Sequence, residues 1–303
     1  MKTKLCRLLS VLALGLIGSA AQAAITCSMA AQGFVSVYDG LAATSNLNQS
    51  SFTLSCSRLS TDATTLNFIA FTDDGGYNNG ANNRARSPSG AFIQYDFFTT
   101  SAYSVNWSKS SRCIVGSVNF GSALSATQTV SYFSRIPAAQ TGIPAANYTD
   151  TVRASVAYGP TACQNNAPED VGSTFSVAIS TVPACQIAVP PGNVAFSYTA
   201  FSQTPATANT SFQARCSTTL PYTLAINGTQ SGGIYGGVVS GLNYGLSIAL
   251  TTTGPPILPT TSRTGNGALE TFFINGTMPA GQAGTCPTST CNPSDPRTLT
   301  ITF

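Results

Sequence analysis

After its first two dozen residues, this sequence nowhere holds apolar side chains at helical spacing for long; they alternate instead. Phe52-x-Leu54, Leu66-x-Phe68, Val130-x-Tyr132, Leu224-x-Ile226, Leu246-x-Ile248 and Leu299-x-Ile301-x-Phe303 each put every second residue on one face. Turn clusters such as Asp73-Asp74-Gly75-Gly76 and Asn78-Asn79-Gly80 separate these runs. A period of two, punctuated by Gly, Asn and Pro, dictates half-buried strands joined by tight turns, the pattern of an all-β sandwich.

The pattern occurs twice. Ser51-Phe52-Thr53-Leu54-Ser55-Cys56 has a counterpart in Ser211-Phe212-Gln213-Ala214-Arg215-Cys216, and each follows an earlier cysteine, Cys27 or Cys185. Gly75-Gly76 matches Gly232-Gly233, Ile93-Gln94-Tyr95 matches Leu242-Asn243-Tyr244, and a Pro-Ala-x-Gln core recurs at Pro137-Ala138-Ala139-Gln140 and Pro279-Ala280-Gly281-Gln282. Two domains of like fold are therefore expected, at 24–160 and 183–303, each close to the size of one immunoglobulin-like sandwich. Residues 161–182 form a linker between them.

The amino terminus has the form of a secretory signal over residues 1–23. Lys2, Lys4 and Arg7 precede an apolar stretch from Leu8 to Ile17, and Ala21-Gln22-Ala23 is a small-x-small cleavage site. The apolar stretch is too short for a comfortable membrane span. Cleavage removes three of the thirteen basic residues and leaves ten against ten acidic ones. A chain of near-zero net charge has no electrostatic footprint for nucleic acid, and it favours self-association. The eight cysteines after the signal are even in number and bound for an oxidising compartment, so disulfides are expected. The repeat matches Cys27–Cys56 with Cys185–Cys216; if pairing stays within domains, Cys113–Cys163 and Cys286–Cys291 follow. The absence of histidine removes the commonest general base and metal ligand. Only two glutamates occur, Glu169 and Glu270, and there is no Gly-x-Ser-x-Gly run, so an enzyme is not expected and no cofactor is expected.

The two halves differ in their strands. The linker contains Thr174 to Val182, in which Phe175, Val177 and Ile179 alternate with small residues. No comparable segment follows Phe303, and only Ala24, Ile25 and Thr26 precede Cys27. Either 174–182 opens the second domain, or it supplies a strand to the first. The second alternative leaves the carboxy-terminal domain without its final strand. A sandwich in that condition exposes core side chains and unpaired backbone, and needs a partner to add a strand.

These residues also carry a resemblance. Arg135-Ile136-Pro137-Ala138-Ala139-Gln140 followed by Tyr148-Thr149-Asp150-Thr151-Val152, with an early cysteine pair in each half, resembles the spore coat protein U family found in subunits of archaic chaperone–usher pili. The second domain departs from the pattern, with a short Cys286–Cys291 loop where the Tyr-x-Asp segment is expected. The resemblance implies pilin-type sandwiches assembled by donor-strand complementation. It implies a periplasmic chaperone, an outer-membrane usher and an adjacent pilin as partners, and passage through the periplasm to the cell surface. A two-domain subunit of this kind looks like a tip adhesin mediating surface adhesion and biofilm formation. A shaft or spore-coat subunit and a secreted carbohydrate-binding module are the alternatives. On this view Phe175, Val177 and Ile179 complete the first domain. Leu299, Ile301 and Phe303 border an acceptor groove, and the Phe303 carboxylate meets a basic chaperone residue. Tyr77, Tyr103, Val105 and Trp107 are candidates for touching an abiotic or host surface through area burial; Val105 and Trp107 also fit the alternation of a core strand.

Overall fold

The structure, a computed structural model, describes residues 25–80, 82–286, 288 and 290–303; the signal segment lies outside them. Among the described residues the regular elements are all strands. The first sandwich comprises β1 (Thr26–Ala31), β2 (Phe34–Tyr38), β3 (Asn46–Ser57), β4 (Thr65–Thr72), β5 (Asn83–Arg86), β6 (Phe92–Phe98), β7 (Ile114–Asn119), β8 (Ser125–Ile136), β9 (Asn147–Tyr158) and β10 (Val171–Thr181). One layer has the order β1-β3-β8-β6. The other runs β7-β4-β9-β10-β2, and β5 joins the layers by pairing with both β6 and β9. The second sandwich comprises β11 (Cys185–Val189), β12 (Ala206–Cys216), β13 (Pro221–Ile226), β14 (Thr229–Ser231), β15 (Ile234–Val239), β16 (Leu242–Ala249), β17 (Arg263–Thr264), β18 (Glu270–Met278) and β19 (Leu299–Thr302). Its layers are β11-β12-β18-β16-β15-β14 and β17-β13-β19.

Alternation sets the burial. In β3 Phe52, Leu54 and Cys56 point inward; in β9 Tyr148, Asp150, Val152, Ala154 and Val156 do so. Aromatic rings fill the first core. Trp107 stacks on Phe52 at 5.8 Å, and Phe97 meets Tyr132 and Phe175 edge-on at 5.4 and 5.5 Å. The second core is smaller, with Phe212 stacked on Phe272 over Leu224 and Ile248. Four disulfides join Cys27 to Cys56, Cys113 to Cys163, Cys185 to Cys216 and Cys286 to Cys291. The first and third each pin an opening strand to its neighbour across directly paired residues.

The strand from the linker lies in the first sandwich. β10 runs antiparallel to β9, with Phe175 opposite Val152 and Val177 opposite Asp150, and parallel to β2, with Val177 opposite Phe34. It begins at Val171, three residues before the expected start, because Val171 still pairs with Val156. Phe175, Val177 and Ile179 are 5%, 0% and 1% exposed, so the strand closes the core. Gly33 marks how tightly it fits: a Cβ there would lie 2.0 Å from the Ser176 carbonyl oxygen. Only glycine lets the chain cross from β1 to β2 beneath the β10 backbone.

The sandwiches touch where the β2–β3 and β8–β9 loops of the first meet the second. Pro144 bridges to Thr218, and the Arg215 guanidinium donates to the Leu41 carbonyl at 3.5 Å. Since β3 runs away from this contact and β8 runs back towards it, the β3–β4 and β7–β8 loops stand at the far end of the first sandwich.

Candidate functional site

Hydrogen bonds align the two sandwiches residue by residue. In the first, the Gln140 amide mimics a strand backbone: its Nε2 donates to the Gln94 carbonyl at 3.0 Å, and the Gln94 N–H donates to its Oε1 at 2.7 Å. The Gln140 N–H donates to the Tyr38 hydroxyl at 3.1 Å. Gln282 repeats this, with Nε2 to the Asn243 carbonyl at 3.0 Å, the Asn243 N–H to its Oε1 at 2.6 Å, and its own N–H to the Tyr198 hydroxyl at 2.8 Å. The recurring Pro-Ala-x-Gln core is thus a clamp that closes the edge of β6 or β16, and Tyr198 corresponds to Tyr38. The Tyr95 hydroxyl donates to Asp150 at 2.7 Å, and the Tyr244 hydroxyl donates to Asp295. Asp295 corresponds to Asp150, which corrects the expectation that the Cys286–Cys291 loop replaces the Tyr-x-Asp segment. The aspartate lies four residues beyond that loop, in Ser294-Asp295-Pro296. A search for Asp six residues before the last inward residue of the strand, as Asp150 stands to Val156, would have found it.

With this alignment, residues 194–198 stand where β2 stands and residues 295–303 stand where β9 stands. In the first sandwich β10 lies between the two. In the second the place is open. β19 pairs with β13 alone, and the extended stretch 194–198 carries no strand partner among the described residues. The burial differs accordingly. Ala154 and Val156 are fully buried, whereas their counterparts Leu299 and Ile301 are half-buried. Phe34 and Tyr38 are 5% and 1% exposed, whereas Val194, Phe196 and Tyr198 are half-buried. Phe303 lies just past β19 and is 58% exposed. An edge of unpaired N–H and C=O groups flanked by partly covered core side chains is a template for one more strand.

The matched aspartates are shifted in opposite directions. Under β10, burial pushes the Asp150 carboxyl above its ordinary value, against hydrogen bonds from Tyr95 and the backbone. At the open edge, the Tyr244 hydroxyl and then the Arg297 guanidinium hold Asp295 below its ordinary value. Arg297 occupies the place of Val152. Its Nε donates to the Tyr244 hydroxyl at 2.8 Å, Nη1 to the Asn227 carbonyl at 3.1 Å, and Nη2 to Asp295 at 2.6 Å and to the Gly236 carbonyl at 3.4 Å.

The candidate surface residues are dispersed. Trp107 is 1% exposed, stacks on Phe52 and donates its Nε1–H to the Ala70 carbonyl at 2.8 Å, so it is a core residue and offers no surface. Tyr103 is half-buried against Phe98 and Phe133. Val105 is 48% exposed; Tyr77 is 36% exposed and tilts on Phe92 beneath the Arg86 guanidinium. The far end carries two residues that the sequence reading missed, Leu59 and Leu124, 57% and 54% exposed. Buried Arg58 ties their loops together: its N–H donates to the Leu124 carbonyl at 2.9 Å, Nε to Ala123 at 3.0 Å, and Nη1 to Leu59 at 3.1 Å and Asp62 at 3.0 Å. The available signal was a leucine inside each of two polar turns, Arg58-Leu59-Ser60-Thr61-Asp62 and Gly121-Ser122-Ala123-Leu124-Ser125. Both glutamates have partners: Glu169 pairs with Arg153, and Glu270 with Arg263 and the Tyr222 hydroxyl.

A polar cavity of about 250 Å³ lies on the flank of the first sandwich, lined by Asp74, Asn78, Asn82, Asp96, Lys109 and Arg112 among others. Burial pushes the Asp96 carboxyl up to about 6. The unfolded chain holds its aspartates near 3.9, so the proton binds more tightly to the folded state. The associated stability is complete below about pH 4 and is lost as pH rises through about 6. Asp96→Asn is expected to raise the stability of the first domain at pH 7.5 by about 3 kcal/mol, on 1.36 kcal/mol per pKa unit, and to change it little at pH 4. Thermal melts at the two pH values test this; equal shifts at both would refute it.

Comparison with known proteins gives the family and the fold. No curated protein matches the sequence. A chain of the CsuC–CsuE chaperone–tip adhesion subunit pre-assembly complex, from the archaic chaperone–usher Csu pili of Acinetobacter baumannii, matches with 14% identity and a TM-score of 0.50, over 92% of this chain and 100% of that one. The CupB6 tip adhesin of Pseudomonas aeruginosa matches with 13% identity and a TM-score of 0.41, over 92% of this chain and 96% of that one. The family model of the Spore Coat Protein U domain matches residues 13–155 and 172–244, once in each half. The chain belongs to the Spore Coat Protein U domain family, in the form of two tandem β-sandwiches, in the second of which β19 pairs with β13 alone among the described residues.

Proposed function

We propose that this protein is the tip subunit of an extracellular chaperone–usher pilus, in which the first sandwich adheres to a surface and the second accepts a strand from the adjacent pilin. The open edge between 194–198 and β19, at the place that β10 fills in the first sandwich, carries this reading. A periplasmic chaperone covers the edge before assembly, with Leu299, Ile301 and Phe303 at its border, and an outer-membrane usher exchanges it for the neighbour's strand. The family and the shared fold support such partners, since the matched A. baumannii chain comes from a chaperone–tip complex. Phe175, Val177 and Ile179 act as the donor strand of the first domain, supplied by the chain's own connector. That leaves 24–160 with 171–181 as the adhesive unit and 183–303 as the acceptor unit. The role is structural and adhesive, not enzymatic, and the product is a surface-exposed fibre end that promotes biofilm formation.

Labelling with antibody to the first domain is expected to mark fibre ends, one per fibre. Label spaced along the fibre would replace the tip reading with the shaft alternative. Adhesion rests on the far-end loops, because area burial by exposed leucines needs no specific partner chemistry. The double change Leu59→Ser and Leu124→Ser is expected to cut attachment to polystyrene about tenfold, the factor for ~1.4 kcal/mol. Melting is expected to move little, since both side chains are exposed. Full attachment by a folded double variant would move the adhesive surface elsewhere. The polar cavity is the one observation favouring a carbohydrate module, but Trp107 in its wall is buried and offers no ring for a sugar to stack on. Binding to a defined glycan would favour that reading.

A further inference from the structure

The open edge of the second sandwich is not chemically the same as the edge that β10 covers, and the difference lies along the strand that would be accepted. Inward residues facing one another across two antiparallel strands share a face and touch. In the first sandwich the inward residues of β9 that follow Asp150 are Val152, Ala154 and Val156, and they face Phe175, Ser173 and Val171 of β10. Counting from the matched aspartates, the second sandwich presents Arg297, Leu299 and Ile301 at these three places. Two of the three places therefore change in size or polarity, and the third keeps a β-branched aliphatic. Where β9 offers a valine to an aromatic ring, the second sandwich offers a guanidinium. Where β9 offers an alanine to a serine, it offers a leucine.

Arg297 is held in place and cannot swing away without cost. It is 20% exposed and its partner Asp295 is 27% exposed. Four contacts occupy Nε, Nη1 and Nη2, which leaves one of the five guanidinium hydrogens without a protein acceptor among the described contacts. The neighbouring backbone is shaped around this side chain. A Cβ at Gly237 would lie 2.1 Å from Nη2, and one at Gly228 would lie 2.6 Å from Nη1. A strand laid over the edge would remove the remaining water from the guanidinium. A buried guanidinium hydrogen without an acceptor is strongly disfavoured. Leu299 and Ile301, half-buried now, would gain from apolar partners.

We infer that the strand accepted by the second sandwich is apolar at the two inward positions facing Ile301 and Leu299 and carries a hydrogen-bond acceptor side chain at the next inward position, facing Arg297. The inference deepens the strand-acceptor reading and rests on it. It has a consequence within the molecule. β10 carries Ser173 where the edge calls for an apolar residue and Phe175 where it calls for an acceptor, so it fits only the first sandwich. Among the described residues, two strand-hungry sandwiches thus share one donor strand. Arg297 and Leu299 keep that strand out of the wrong one and reserve the second edge for a neighbour.

The test uses the mature chain and eleven-residue peptides. One peptide copies Val171–Thr181; the second carries Ser173→Val and Phe175→Asn; two more carry one change each. The doubly changed peptide is expected to bind the second domain at least tenfold more tightly than the copy, with each single change giving part of the gain. In Arg297→Val the preference for Asn over Phe at the fifth position is expected to vanish or reverse. Should that variant fail to fold, the peptide series on the unaltered chain still decides the matter. Equal binding of all four peptides would overturn the selectivity while leaving strand acceptance standing. Binding of none of them would remove strand acceptance itself, and the inference with it.

Discussion

Val177→Asp is expected to unfold the first domain while the second keeps its own melting transition. Val177 is fully buried, opposite Asp150 in β9 and Phe34 in β2. The substitution removes an apolar side chain whose burial contributes about 2 kcal/mol and puts a second carboxylate beside one that burial already disfavours. An uncompensated buried charge adds several kcal/mol more. The total, on the order of 5 kcal/mol or above, approaches the whole stability of an ordinary domain. Val177→Ala, which only leaves a void, is expected to cost about 2 kcal/mol and to leave the domain folded. Circular dichroism melts of the two variants check the pair of outcomes. A first domain that melts unchanged in Val177→Asp would show that β10 is dispensable for closing it.

Joining a strand to the chain beyond Phe303 is expected to seal the second sandwich and end its ability to accept a partner. The design copies the connection already present in the first sandwich, where residues 159–170 link β9 to β10. A flexible linker of that length would lead to the β10 sequence carrying Ser173→Val and Phe175→Asn. Burial of two or three apolar side chains at ~2 kcal/mol each, with some loss to ordering the linker, stabilises the domain by about 4 kcal/mol. At roughly 4 °C per kcal/mol for a domain of this size, its melting temperature is expected to rise by about 15 °C. The sealed protein is also expected to stop binding donor peptides and to drop out of fibres, although its first domain and far-end leucines are untouched. Continued peptide binding by the sealed protein would place the acceptor edge elsewhere.

Part of this arrangement was legible before any coordinates. Alternation in β3, β8 and β10 marks the inward faces, because a strand turns successive side chains to opposite sides whatever the rest of the chain does. The duplicated Pro-Ala-x-Gln core marks equivalent edges, because a side-chain amide there closes backbone groups that strand pairing leaves open. The adhesive candidates fared differently. Trp107 occurs in a Ser-rich stretch that resembles an exposed loop, yet it packs on Phe52 and Tyr132. Leu59 and Leu124 stand sixty-five positions apart, and the pairing of β3 with β8 at Ser57 and Ser125, with the Arg58 fork, brings their loops together.

The sequence by itself determined the strand periodicity, the doubled domain, the cysteine count and the alternating face of residues 175–179, since all of these follow from local spacing. The tertiary structure decided which sandwich that face closes, which edge remains open, and that Arg297 rather than a valine lines it. Those are statements about neighbours in space. An alternating segment fits any groove of the right width, and only the backbone already standing on either side, β9 and β2 with Gly33 making room, selects the one it enters.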